Sequence, residues 1–291
     1  MSATIRASRG KGSPPGKGDT VPHTLDNYFR HLARRNLRAT YIYAQRGTLK
    51  RLGLHLDSVD LLDAGTDDLT AYLDSRKLCA GARAVEIAHL RAFYTWAQEE
   101  GLIEANPTLR VVKPRRHRGV PRPMPETDFR RALVEAPPRV GAILAFAGLA
   151  GLRACEIAQL RADDLDDDII LIREGKGGSS STVPLAPQLA EYLGRCELPA
   201  WGWLFPRQDG RGHVSRSMIC HLANTFLREL GIHHPLHSAR HLFGTAVYRK
   251  TLDLRLTQEL LRHQSPASTA IYTQIVPDRG AAALASLPRL V

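Results

Sequence analysis

The sequence has no run of roughly 20 apolar residues, the length a membrane-spanning helix needs, so an integral membrane protein of helical type is not expected. Its first 20 residues are rich in Gly, Ser, Pro and Lys and lack the apolar core of an export signal; a cytoplasmic protein with a disordered tail over 1–20 is expected. Cysteine is scarce. Cys79, Cys155, Cys196 and Cys220 lie far apart with no C-x-x-C pair, which argues against a disulfide framework or a zinc knuckle and predicts reduced, buried thiols. There is no Rossmann fingerprint, no Walker loop and no internal repeat. Acid is short relative to base, with 29 Asp and Glu against 40 Lys and Arg and a net charge of +11.

A basic balance of this size favours a polyanionic partner, nucleic acid being the commonest, although a generic basic surface would give the same total. Its distribution says more. Residues 1–124 hold 21 Lys and Arg against 12 Asp and Glu, a net of +9, and the remaining residues net only +2. What is present is otherwise ordinary for a globular protein: 43% hydrophobic and 24% charged residues over 291 positions, enough for two domains.

Four helical patterns follow the tail. Thr24 is placed to cap a helix starting at Leu25; a second runs from about Arg38 to Leu52 with Tyr41, Ala44, Leu49 and Leu52 on one face; a third begins at Thr66. The clearest runs from Arg83 to Glu99, where Ile87, Leu90, Phe93, Tyr94 and Ala97 recur at helical spacing before Gly101 ends it. These predict a helical domain over 21–112. Residues 113–125 carry four prolines, several basic side chains and no acid, which reads as an extended interdomain linker able to follow a phosphate backbone or to serve as a plain solvated tether. The region 126–291 predicts helices near Glu126–Glu135, Arg139–Leu149, Leu152–Leu160, Pro187–Leu193, Ser215–Leu230, Ser238–Lys250, Leu254–Leu261 and Pro266–Ile275. A hairpin of Ile169–Arg173 with Ser181–Pro184 surrounds the Gly-rich turn that carries Lys176. The expected fold class is mainly α with a small β-sheet in the second domain.

His237 and Arg240 are three apart and so leave one face of a helix, and Pro235 places that face near the helix start, where free N–H groups favour an anion. A proton-transfer group beside a guanidinium suits a phosphate. A metal site built from His233, His234, His237 and His241 is the rival, but a metalloprotease helix carries Glu after its first His and here that residue is Ser238. Alone, H-x-x-R is a weak signal. It gains weight from Gly-Leu-Arg153-x-x-Glu156 upstream, Lys176 in the hairpin, Leu-Arg-His263 downstream, and Ile-Tyr272-Thr nine positions after His263.

This ordered series resembles the tyrosine recombinase (phage integrase) family, in the stretches 150–160, 236–245, 259–265 and 269–273, with 93–107 similar to the end of that family's core-binding domain. The resemblance spans about residues 20–280 and implies a two-domain architecture with a core-binding domain over 21–112 and a catalytic domain over 126–291. The family's six catalytic positions fall on Arg153, Lys176, His237, Arg240, His263 and Tyr272. A phenol with pKa near 10 needs a base or a field to attack. The resemblance implies Tyr272 as nucleophile, with His237 as proton acceptor. Arg153 and Arg240 fork to the phosphate oxygens, Lys176 protonates the departing 5′ oxygen, and His263 binds the phosphate or orients the site. A 3′-phosphotyrosyl link conserves the energy of the broken bond, so no cofactor and no metal is implied. The implied partners are double-stranded DNA recombination sites clamped between the two domains, and a homotetramer that exchanges strands through a Holliday junction. The tail 281–291 is expected to dock on its own domain or on a neighbouring subunit.

The sequence departs from the family pattern at two places. Arg262 stands where glycine usually precedes the second motif histidine; a helix-compatible backbone and an added phosphate contact are expected of it. Ala239 replaces a core leucine. Arg153 as a structural partner of Glu156, and Lys176 as an ordinary turn lysine, are the bland alternatives, though after Lys113 the sequence holds only Lys176 and Lys250. Tyr192 and Tyr248 are rivals for the nucleophile, but both lie in core-filling helical patterns, whereas Thr269, Thr273 and Gln274 around Tyr272 suit an exposed hydroxyl. The expected function is site-specific recombination for a phage or mobile element, without an arm-binding domain. A Xer-like dimer resolvase, an inactive DNA-binding protein, a metal-dependent hydrolase and a topoisomerase-like relaxing enzyme are the alternatives.

Overall fold

The computed structural model describes residues 20–114, 122–173, 180–263 and 265–275. By their internal contacts they belong to two compact units, Met1–Arg118 and Gly119–Val291.

The first unit is built from α1 (Thr20–Arg34), α2 (Ala39–Leu56), α3 (Thr66–Asp74) and α4 (Ala80–Glu99), closed by a 3₁₀ turn at Pro107–Arg110. α4 forms the wall of its core because the apolar residues at spacings of three and four, Ile87, Leu90, Phe93, Tyr94 and Ala97, are all buried. α1 starts at Thr20, so Thr24 lies inside the helix and not at its cap. α2 buries Gln45, Thr48, Leu49, Leu52 and Leu56, while Tyr41 and Ala44 face outward. The polar half of that face is possible because partners wait for it. Gln45 Nε2 donates to Tyr28 Oη at 2.8 Å, and Thr48 Oγ1 lies 2.9 Å from His89 Nδ1. Glu86 of α4 joins three elements, accepting from Tyr72 at 2.6 Å and from Arg51 at 2.8 Å.

The second unit centres on α6 (Pro138–Leu149), whose residues 141–148 are all buried. Around it pack α5 (Glu126–Glu135), α8 (Pro187–Leu193), α9 (Arg216–Glu229) and α10 (Leu236–Thr251). α7 (Ala154–Ala158) lies against α9. The strands β1 (Ile169–Ile172) and β2 (Ser181–Pro184) form a two-stranded antiparallel sheet with Ile170 opposite Val183. α11 (Leu254–Leu260) follows α10. The expected last helix is two 3₁₀ segments, Pro266–Ser268 and Ala270–Ile275. The described residues are therefore mainly helical with one small sheet, and α7, α10 and the last 3₁₀ segment, which position the sequence-predicted residues Arg153, His237, Arg240 and Tyr272, belong to this second unit.

Candidate active site

The turn from α6 into α7 is shaped by Gly151 at φ 62°, where a Cβ would also fall 2.5 Å from Phe243 Cδ1. Two residues on, Arg153 caps α7. Its N–H donates to Glu156 Oε2 at 2.7 Å and its Nη1 to Glu156 Oε1 at 2.7 Å, so the R-x-x-E spacing works as a capping pair as well as an ion pair. Arg153 Nη2 reaches the Arg262 carbonyl at 3.0 Å. Glu156 is 3% exposed. Burial alone would push its carboxyl up, but the charges of Arg262 and Arg153 and their hydrogen bonds outweigh it and hold the group below the ordinary carboxylate range.

α10 begins at Leu236, whose N–H donates to Asn224 Oδ1 at 2.7 Å. It presents His237 on the outside and buries Arg240 three residues later, at 2% exposure. Arg240 donates to the Gly151 carbonyl and, at 2.6 Å, to the Leu261 carbonyl, and lies 3.9 Å from Glu156 Oε2. Burial and then the neighbouring Arg153 lower its pKa; with so high a starting value the guanidinium stays charged. Arg153, His237 and Arg240 line one cavity of about 440 Å³, together with Arg216, Cys155 and Cys220. Although its edge reaches solvent, the His237 ring is partly desolvated within this cavity; that, then Arg240 and Arg153, lower its pKa, which leaves it neutral and able to accept a proton at neutral pH.

Tyr272 does not expose its hydroxyl. The residue is 1% exposed and packs with Tyr248 and Leu261 against α10, with Gly244 giving the ring its space. The polar neighbours that suggested exposure are misleading because the segment is 3₁₀, where residues three apart eclipse. Thr269 and Tyr272 share the buried side, and Thr273 faces out. The Tyr272 hydroxyl pairs with His241 Nδ1 at 3.1 Å and not with His237, although the His237 and His241 rings are themselves 4.4 Å apart. Burial pushes the phenol up to about 12 against the pull of Arg240 and Arg153. His263 bonds through Nδ1 to Thr269 Oγ1 at 2.9 Å; burial, Arg240 and Arg153 bring its pKa down to about 3, and burial and His237 bring His241 to about 4.

Arg262 has φ 52°, the left-handed region, and not a helical backbone. A side chain there costs roughly 1–2 kcal/mol. Its guanidinium binds Glu156 Oε2 at 2.8 Å and the Gly151 carbonyl at 3.1 Å, so the expected phosphate contact is replaced by contacts within the protein. Lys176 lies outside the described residues. The thiols also differ from expectation: Cys196 is buried, but Cys79 and Cys155 are exposed and Cys220 is half-buried, and all four are free. Two residues beside the six went unrecognised as part of this site: His241, one turn after His237 on the same helix face, and Arg216, the first residue of α9. The i,i+4 spacing of the two histidines was the available signal for the first; nothing in the sequence marked the second. Among the described residues no three His, Cys, Asp or Glu groups form a metal-binding cluster, and no helix is long and apolar enough to cross a membrane.

Comparison with known proteins converges on one family. The model of the phage integrase family matches residues 129–279. Tyrosine recombinase XerC of Azotobacter vinelandii is 32% identical over 269 residues, covering 87% of this chain and 85% of that protein. Tyrosine recombinase XerD of Pseudomonas putida is 32% identical over 246 residues, covering 76% and 81%. Among solved structures, a lambda integrase (75–356) dimer bound to a COC' core site matches with a TM-score of 0.70 at 19% identity, over 86% of this chain and 94% of that one. XerH bound to palindromic difH substrate, in a post-cleavage complex, matches with a TM-score of 0.67 at 21% identity, over 90% and 83%. At those identities the structures establish the fold. The sequence matches establish more: the chain belongs to the phage integrase family of tyrosine recombinases and is a site-specific DNA recombinase.

Proposed function

We propose that the enzyme cuts DNA by attack of the Tyr272 hydroxyl on a scissile phosphate, leaves a 3′-phosphotyrosyl link, and rejoins the strand to a new 5′ hydroxyl. The observation that supports this assignment is that Arg153, His237 and Arg240, drawn from α7 and α10, line one cavity, while Tyr272 packs on α10 itself with its hydroxyl 3.1 Å from Nδ1 of His241, one turn after His237. Arg153 and Arg240 hold the phosphate oxygens and stabilise the second negative charge of the five-coordinate transition state. His237, neutral at working pH, takes the phenol proton. Lys176 protonates the departing 5′ oxygen. His263 fixes the 3₁₀ segment through Thr269 and orients Tyr272. A phenol this buried is out of reach of a duplex, so attack requires the 270–275 segment to lift Tyr272 from His241 toward the phosphate. The chemistry conserves the energy of the broken bond and calls for neither metal nor ATP.

The reading extends to the whole molecule. Residues 21–112 act as a core-binding domain, 113–125 as a basic linker and 126–291 as the catalytic domain, and double-stranded DNA is the partner. The working species is a homotetramer on two DNA sites in the cytoplasm, passing through a Holliday junction; a lambda integrase tetramer bound to such a junction has this fold, with a TM-score of 0.69. Two settings fit, integration of a phage or mobile element and Xer-like dimer resolution. The extended similarity to XerC and XerD favours the second as an alternative to the first. Recombination of directly repeated chromosomal sites, tested against attachment sites flanking the gene, separates them.

The test is covalent capture on a nicked suicide substrate. Wild-type protein is expected to form a protein–DNA adduct, also in EDTA. Tyr272→Phe is expected to form none while its DNA affinity stays within about twofold, because one hydroxyl contributes little to an interface of phosphate contacts. An adduct in the variant, or lost binding, overturns the assignment.

A further inference from the structure

We propose that Arg262 is a positioning residue of the active site, which anchors Glu156 and the Gly151 carbonyl so that Arg153 and Arg240 meet the scissile phosphate already aligned. The inference rests on the assignment of Arg153 and Arg240 to that phosphate.

Arg262 occupies a left-handed backbone position, φ 52°, that glycine fills without strain, and its side chain is 9% exposed. Nη2 donates to Glu156 Oε2 at 2.8 Å and to the Gly151 carbonyl at 3.1 Å; Nη1 donates to the Leu260 carbonyl at 2.8 Å. Both Nη2 acceptors also serve the phosphate pair. Gly151 takes a hydrogen bond from Arg240, and Glu156 takes one from Arg153 at 2.7 Å and lies 3.9 Å from Arg240. The Arg262 carbonyl in turn accepts from Arg153 Nη2 at 3.0 Å. Arg262 is thus bonded to Arg153 directly and to both phosphate-binding arginines through a shared acceptor.

The charge count points the same way. Glu156 sets one negative charge against Arg153 and Arg240, which would leave the group at +1. Arg262 restores it to +2, the complement of a phosphodiester that gains a second negative charge in the transition state. Arg262 does this from behind: it is absent from the cavity that Arg153, His237 and Arg240 line, and its Nη atoms are turned to protein acceptors.

The experiment compares Arg262→Gly and Arg262→Lys with wild type in single-turnover adduct formation on a nicked duplex across pH 6–9, alongside DNA affinity and thermal melting. Glycine suits the backbone, so Arg262→Gly is expected to fold and to bind DNA within about twofold of wild type. Its cleavage is expected to fall about 10- to 100-fold, the scale of a small misalignment at a reacting centre. Its pH–rate profile is expected to shift to higher pH, because one positive charge that lowers the pKa of His263 and of Arg240 is gone. Arg262→Lys, which can pair with Glu156 but cannot span both acceptors, is expected to recover part of the rate. A wild-type rate in Arg262→Gly overturns the proposal. So does a loss of DNA affinity in step with the rate, which would make Arg262 a DNA ligand. Loss of folding in both variants overturns it too, as a purely structural role. Adduct formation by Tyr272→Phe marks failure of the site assignment; an inert Tyr272→Phe with a fully active Arg262→Gly marks failure of this inference alone.

Discussion

Replacing Glu156 with alanine removes the carboxylate that three arginines share, and the structure sets the size of the loss. Arg153 and Arg262 approach it at 2.7 and 2.8 Å and Arg240 at 3.9 Å. Removing one partner of a buried ion pair costs about 3–5 kcal/mol, because the remaining charge stays buried. Here Arg153 is 23% exposed along its side chain and can turn to water, and Arg240 keeps two backbone carbonyls, so the lower end applies. Loss of the carboxylate that accepts from the Arg153 N–H adds about 1 kcal/mol at the start of α7. A loss of roughly 4 kcal/mol lowers the melting temperature of a domain this size by about 8–16 °C. Calorimetry at neutral pH measures it, with Glu156→Gln as the variant that keeps shape and one acceptor and loses less. The pH dependence has a definite sign. The folded pKa of Glu156 is depressed, so its contribution is present above the unfolded value near 4.3 and is lost as pH falls through the folded value. The gap between wild type and Glu156→Ala should therefore be full at pH 6 and shrink below about pH 4. A buried network is screened little, so the gap should persist in 1 M salt, where the Debye length is about 3 Å. A melting temperature within 2 °C of wild type would refute the reasoning, as would a gap that vanishes with salt.

Other outcomes follow from the same geometry. Gly244→Ala places a Cβ 2.6 Å from Tyr272 Cζ and 2.7 Å from its hydroxyl, so Tyr272 must leave its seat; nitration mapped by mass spectrometry should find it protected in wild type and reactive in the variant, and continued protection would contradict the packing. His241 and His263 are held near 4 and 3 while an unfolded histidine titrates near 6.5, so stability is full above pH 6.5 and falls as the unfolded chain takes up protons below it. Melting followed from pH 7.5 to 5 should show a slope that His263→Asn reduces; an unchanged slope would place the effect elsewhere.

Much of this was legible in the chain, and the failures have physical reasons. α4 could be read because most of its buried residues are apolar and helically spaced. The inner face of α2 could be read only in part: Leu49 and Leu52 are buried as expected, but Gln45 and Thr48 are buried on partners, Tyr28 and His89, that lie far away in sequence. Arg153, His237 and Arg240 could be picked out through the ordered series that resembles the family, since H-x-x-R alone is a weak signal, and the structure sets the three on one cavity. The seat of Tyr272 was hidden by period: polar residues beside it suggest exposure on an α-helix, whereas 3₁₀ geometry puts Thr269 and Tyr272 together inside. Arg262 was misread for a related reason. A sequence shows a charge and not a φ, and the left-handed backbone turns that charge inward onto Glu156.

The most direct test is to trap the covalent complex on a nicked duplex, digest both components, and locate the attached nucleotide by tandem mass spectrometry. A 3′-linked nucleotide on the peptide carrying Tyr272 is the expected result. Attachment at Tyr192 or Tyr248, or at no tyrosine at all, would contradict the account.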